Sequence, residues 1–240
     1  MTAILDVRAL SKRFGGLAAV DAVSFSLARG DIAALIGANG AGKTTCFNML
    51  GGALQADTGH VLFQGQDITR WPAHRRCRSG IGRTFQIAAT FRSMTVLENI
   101  EIALSAVGRH AAAAPQLLDE IGIADKAGMA VTALAYGDVK RVELAMAIAA
   151  EPTVLLLDEP TAGMAGAERK QIMQTIARLV AARGITVLFT EHDMNAVFGF
   201  AGRVLVMDQG QLIADDTPDA VRRDARVQQV YLGDAESGDA

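Results

Sequence analysis

The run IAALIGANGAGKTT, residues 32–45, limits what this chain can fold into more than any other stretch. The apolar segment Ile32–Ile36 leads into the spaced glycines Gly37, Gly40 and Gly42, and then into Lys43, Thr44 and Thr45. CFNMLGG behind them reads as a helix. Gly37 to Thr44 fits G-x-x-x-x-G-K-[ST] in the strand–loop–helix setting that gives the pattern its meaning. Glycines let successive backbone N–H groups turn inward around a phosphate, and a helix N-terminus adds partial positive charge. The cradle is expected to run through Gly37, Ala38, Asn39, Gly40, Ala41 and Gly42. Lys43 would bring a mobile cation to the β- and γ-phosphates, and Thr44 a hydroxyl to Mg²⁺, with Thr45 beside it.

VLLLDE, residues 154–159, supplies an acidic counterpart. A continuous apolar run is what a strand buried on both faces of a parallel sheet requires. An acid at its end lies at the carboxyl edge, where open α/β folds bind ligands. Asp158 is expected to hold Mg²⁺ through a water, and Glu159 to orient or deprotonate an attacking water. In AERKQIMQTIARLVAARG, Ile172, Met173, Ile176, Leu179 and Val180 recur at helical spacing, with Gly184 as the stop. ITVLFT (185–190) reads as the next buried strand, RVLVMDQGQLIA as a hairpin turning at Asp208-Gln209-Gly210, and Thr217-Pro218 as a helix start.

The first third of the chain reads as strands, with tight turns at Arg29-Gly30-Asp31 and after VLFQG. From about Trp71 to Ala130 the composition becomes Ala-rich and helix-favouring, as expected of a small helical lobe inserted between halves of the core. The fold class expected is therefore α/β: a P-loop NTPase core with a parallel sheet and an antiparallel N-terminal β region, plus a small α-helical lobe.

Composition narrows the function. The 240 residues are half hydrophobic, with a formal charge of −3, which gives no general pull toward nucleic acid or an anionic membrane. The basic cluster RWPAHRRCRSGIGR (70–83) is expected to form a solvated helix face near the lobe junction. Two cysteines make no disulfide framework and suit a reduced compartment. The N-terminus carries no signal-peptide pattern. No apolar run reaches membrane-spanning length, so a membrane role is expected to come through partners.

A further set of elements falls in order along the chain. Gln86 follows a short β-run in RTFQ, Gly137 opens a helix ending before VLLLDE, and His192 ends VLFTEH. Together with the loop and the Asp-Glu strand, this set resembles the ATP-binding subunit of ABC transporters over essentially the whole chain, and implies that architecture. The resemblance implies that Phe14 in KRFGG stacks on adenine. It implies that Gln86 senses the γ-phosphate and metal while linking core to lobe, and that His192 contacts the γ-phosphate. Ala135, Tyr136 and Gly137 would form the turn that serves a nucleotide held by a second ATPase chain. The implied divisions are 1–86 for the first half of the core, 87–150 for the lobe, 151–233 for the second half and 234–240 for a frayed tail.

GRTFQIAATFRSMTVLENI, LAYGDVKRVELA, DEPTAGM, TEHDMNAVFGFAGRVLVMDQGQLI and VQQVYLG resemble the branched-chain amino acid importer ATPases. That type implies a cytoplasmic ATPase on the inner face of the membrane, using ATP and Mg²⁺. It implies pairing with a second ATPase, as a heterodimer or alternatively a homodimer, on two permease subunits fed by a periplasmic binding protein, with no nucleic acid partner. Urea and amide importers and lipopolysaccharide exporters are the alternatives. The sequence departs from the superfamily's usual pattern in its Ala135, Tyr136 and Asp138 slots, in Ala165 after TAGM, and in a lobe shortened around Val107–Pro115. A GTPase or kinase would want a base-reading motif or a phosphate-acceptor site, and a non-transport cassette would want coiled-coil insertions or twin cassettes. Neither pattern is found.

Overall fold

The computed structural model describes residues 3–85 and 89–232. Strand β1 (Leu5–Phe14) turns through Gly15 and Gly16 into β2 (Leu17–Leu27), and the pair runs antiparallel. The turn expected at Arg29–Asp31 closes with Asp31 N–H on Ala28 O and Gly30 at φ 82°. It carries the chain into a second sheet at β3 (Ile32–Ile36). Helix α1 (Lys43–Gly51) follows the glycine loop. Strands β4 (Thr58–Phe63) and β5 (Gln66–Asp67) then return to the first sheet, whose order is β2-β1-β4-β5.

Helix α2 (Ala73–Arg78) leads to β6 (Ile81–Arg83), which pairs parallel with the later strand β7 (Val154–Asp158). The helix-favouring composition starting at Trp71 thus does not mark the start of the helical region. Strand β6 is the short β-run read ahead of Gln86, and it belongs to the main sheet. Helices α3 (Val96–Ala106), α4 (Ala114–Ile121) and α5 (Tyr136–Ile148) follow. A capping box formed by Thr95 and Glu98 starts α3, satisfying N–H groups that a helix end leaves open. Residues 107–113 join α3 to α4 with one 3₁₀ turn, in the region expected to be trimmed.

Helix α6 (Gly166–Arg183) ends on Gly184 at φ 64°, and its five expected core positions are buried. Strand β8 (Thr186–Thr190), helix α7 (Met194–Phe200), strands β9 (Arg203–Asp208) and β10 (Gln211–Asp216), and helix α8 (Pro218–Arg223) follow, and short helical turns at Ala225–Val227 and Gln228–Leu232 end the described residues. The main sheet has order β10-β9-β3-β8-β7-β6, parallel except for the β9–β10 hairpin. Thr217 stands at the N-cap of α8, but its hydroxyl makes no capping bond.

Alternation along the buried strands assigns their side chains to two cores. Leu155, Leu157, Val187 and Phe189 face α3, α4, α5 and α6. Val154, Leu156 and Leu188 face α1 and the antiparallel sheet, against Phe47, Leu50, Val61 and Phe25. The apolar helices therefore share one core with a face of the main sheet.

Candidate nucleotide site

The glycine loop joins the carboxyl end of β3 to α1. Two of its glycines are sterically required. A Cβ at Gly37 would stand 2.2 Å from Met207 O, and one at Gly42, at φ 103°, would stand 2.2 Å from Ala19 O. The loop is thus pressed against β9 and β2, which fixes its N–H groups. Lys43 is buried and donates to its own loop, at 2.6 Å to Gly37 O and 3.0 Å to Ala38 O. Burial pulls its pKa below that of an ordinary lysine, while Glu159 and Asp158 oppose the shift. Both acids are therefore near enough to feel the ammonium.

Asp158 ends β7, buried, with Oδ1 accepting from the Thr190 hydroxyl at 2.8 Å and Oδ2 3.6 Å from Arg83. Glu159 follows in the left-handed region at φ 47°, a conformation that costs a non-glycine residue about 1–3 kcal/mol and needs surrounding support. Support comes from its own N–H, which donates to the Thr190 hydroxyl at 3.0 Å. Its Oε1 lies 2.9 Å from Nε2 of His192, two residues beyond β8. Glu191 beside it is buried and accepts from Thr161 N–H at 2.8 Å, from the Thr161 hydroxyl at 2.6 Å and from His192 N–H at 3.2 Å.

Lys43, Glu159 and His192 border one cleft of about 730 Å³, lined also by Phe14, Leu17, Asn39–Gly42, Thr44, Thr45 and Gln209, with Asp158 and Glu191 behind its wall. That volume lies in the range of small-molecule sites. Phe14, half exposed at the β1–β2 turn, presents a flat apolar face at one end, and the cradle with Glu159 and His192 lies at the other. Gly37 and Ala38 sit behind Lys43 as its acceptors. For a divalent cation the available donors are the Thr44 hydroxyl and the Asp158 carboxylate, hard oxygens of the kind Mg²⁺ takes alongside phosphate. Gln86 lies outside the described residues.

Ala135, Tyr136 and Gly137 stand apart from that cleft, at the start of α5. Tyr136 is half exposed, and a Cβ on Gly163 would come within 3.4 Å of its ring. Asp138 is taken up by Lys126 and by Arg141 at 3.7 Å. Ala135 is the N-cap of α5 and Ala165 the N-cap of α6, so both departures from the usual pattern leave a helix start with no side-chain cap.

Reading the basic run 70–83 as a solvated face is wrong for two of its members. Arg76 is fully buried and donates to Met49 O and Leu50 O at 2.7 Å, Thr69 O at 2.8 Å and Trp71 O at 3.0 Å. It thereby closes the C-terminal end of α1. Arg83 is nearly buried between Asp158, the Asn48 side chain at 2.8 Å and the Phe85 ring. Arg76, Arg83, Thr190 and Glu191 were all missed as supports of the site. The one local signal was the density of arginine in a net acidic chain.

Residues 20–162 match the ABC transporter family profile, and residues 211–237 that of the branched-chain amino acid ATP-binding cassette transporter. The chain is 38% identical to the high-affinity branched-chain amino acid transport ATP-binding protein LivG of Escherichia coli (strain K12), over 97% of this chain and 98% of that one. It is 36% identical to the lipopolysaccharide export system ATP-binding protein LptB of Acidithiobacillus ferridurans, over 98% of each. The crystal structure of an ATP-binding cassette of an ABC transporter in its ADP conformation superposes with a TM-score of 0.90, at 31% identity, over 97% of this chain and 100% of that one.

Proposed function

The chain belongs to the ABC transporter family of ATP-binding, ATP-hydrolysing proteins, and we propose that it powers a branched-chain amino acid importer. The observation that carries the hydrolytic part is the cleft in which Lys43, Glu159 and His192 converge beside the glycine cradle. The solute class is supported by the match at residues 211–237 and by the similarity to LivG. Permease and partner contacts are needed for such a role, because no helix among the described residues is long and apolar enough to cross a membrane.

Phe14 carries the adenine, and the N–H groups of Asn39–Thr45 hold the phosphates. Lys43 must release Gly37 O and Ala38 O to reach them, and gains a partner for a charge that burial disfavours. Thr44, Asp158 and Gln86 would hold Mg²⁺, which would supply charge neutralisation at the phosphate oxygens. Glu159 takes the proton of the attacking water, and its bond to His192 opens so that the imidazole can turn to the γ-phosphate. Ala135–Gly137 offer backbone N–H groups to the nucleotide of a second ATPase chain. With Ala135 and Ala165 in place of side-chain donors or caps, the two sites of the pair are unequal. The pair docks on two permeases at the inner membrane face, fed by a periplasmic binding protein.

Purification of the native complex tests this. Two permeases, a second ATPase and ATP-driven uptake of leucine, isoleucine or valine are expected. A homodimer on lipid-export subunits, or uptake of urea or amides alone, would overturn it.

A further inference from the structure

Beneath the start of α5 lies an ion pair that the hydrolytic cleft does not use. Lys140 and Glu143 stand one turn apart on α5, their side chains 2% and 5% exposed, with Nζ 3.2 Å from Oε2. Both also grip one residue on the other side of the junction. The Phe85 N–H donates to Glu143 Oε1 at 2.6 Å, and Lys140 Nζ donates to Phe85 O at 3.0 Å. The pair thus satisfies both backbone groups of Phe85, the residue immediately before Gln86. Thr84, just ahead, donates its N–H to Leu156 O at 2.9 Å, and its hydroxyl lies 3.3 Å from Asp158 N. A narrow interior slot runs past these same groups, lined by Thr84, Lys140, Glu143, Leu157 and Pro160.

A buried ion pair is a poor stabiliser, since desolvating two charges offsets most of their attraction, and apolar replacements of similar volume are often neutral or better. What this pair does provide is direction, because its bonds to the Phe85 N–H at 2.6 Å and to Phe85 O at 3.0 Å have one geometry. Here the direction runs from α5, which carries Ala135–Gly137, through Phe85 and Thr84 to the strand end that carries Asp158 and Glu159.

We propose that Lys140 and Glu143 are positioning residues, a buried polar clamp on the Phe85 backbone that makes the Ala135–Gly137 turn move with the metal-side end of β7 when nucleotide occupies the cleft. This rests on the reading of Ala135–Gly137 as a turn directed at a partner's nucleotide. The two chains' sites then sense each other through the interior of each chain as well as across their shared surface.

The double variant Lys140→Met/Glu143→Leu tests it, because it keeps volume and removes the clamp. Hydrogen exchange is followed in the full chain with and without the non-hydrolysable analogue AMP-PNP and Mg²⁺. In the wild type the analogue should alter exchange at both Ala38–Thr45 and Leu134–Val139. In the double variant the chain should stay folded, and the change at Ala38–Thr45 should persist. Its melting temperature is set by the relief of two buried charges against the two Phe85 backbone groups that lose their partners. The Phe85 amide should lose protection, and the response at Leu134–Val139 should vanish. In the assembled transporter, kcat should fall about tenfold to a hundredfold with KM for ATP within about twofold, as misplacement of intact groups predicts. Glu143→Gln, which keeps an acceptor for the Phe85 N–H, should recover part of that loss. An unchanged response at Leu134–Val139 in the double variant, or none in the wild type, overturns the clamp. Whether wild-type turnover depends on Glu159 is a separate measurement, and its failure would strike the hydrolytic reading alone.

Discussion

Arg76→Met is the substitution whose cost the structure fixes most closely. Burial draws the guanidinium down to about 10, so it stays charged at neutral pH, and it holds carbonyls of Met49, Leu50, Thr69 and Trp71. Two of these end α1, where unpaired carbonyls concentrate partial negative charge that a cation relieves. Methionine keeps most of the stem's packing and supplies no donor. Each lost bond is worth about 1 kcal/mol net, more for a charged donor, so the four together are worth about 4 kcal/mol. For a chain of this length that lowers the melting temperature by on the order of 10 °C. Arg76→Lys should lose roughly half as much, since a point ammonium cannot span carbonyls on both sides of the guanidinium plane. Urea unfolding at matched m-values measures both. A loss below about 1 kcal/mol for Arg76→Met would refute the claim that Arg76 anchors the phosphate-loop helix.

Three further outcomes are expected. Ala135→Ser and Ala165→Asp each fill an empty N-cap and should stabilise the isolated chain by about 1 kcal/mol. If the sites are unequal, the same pair should also raise turnover at the partner's site in a site-resolved assay; a melting shift alone would leave only the capping effect. Glu191→Gln gives up one of the two carboxylate acceptors shared by Thr161 and His192, so kcat should drop about tenfold with KM for ATP unchanged. Burial raises the Cys46 thiol to about 12 and also raises Cys77, against a smaller opposite pull from Arg78. Mass spectrometry after alkylation at pH 8 should therefore find Cys77 modified slowly and Cys46 only after unfolding.

What the sequence made legible was whatever depends on near neighbours. The glycine loop is a pattern of consecutive residues, two of whose glycines, Gly37 and Gly42, are demanded by backbone contacts, and it joins a strand to a helix as the sequence reading expected. Strand β7 reads as buried on both faces because every position is apolar until Asp158, and its side chains do divide between two cores. Helix α6 shows its core stripe in five spaced residues. The supports of the site stayed hidden because their partners are distant in the chain: Arg76 meets carbonyls 26 and 27 residues back, and Glu143 meets Phe85 58 residues back. Nothing local to an arginine or glutamate tells which carbonyls or N–H groups the fold will bring to it. Glu191 shows the same gap one residue from His192, since its partner Thr161 lies 30 positions away. Strand β6 registered only as the short β-run ahead of Gln86, because three residues carry no period that could place it in the main sheet.

The central claim is that Glu159, held in a strained backbone and bonded to His192, is the base for ATP hydrolysis in this chain's cleft. ATP turnover and nucleotide retention by Glu159→Gln in the assembled transporter test it most directly. The amide keeps nearly the same shape but cannot accept the proton, so ATP should bind with unchanged affinity and remain unhydrolysed at this chain's site, trapping the closed pair. Hydrolysis at this site near the wild-type rate would contradict the account.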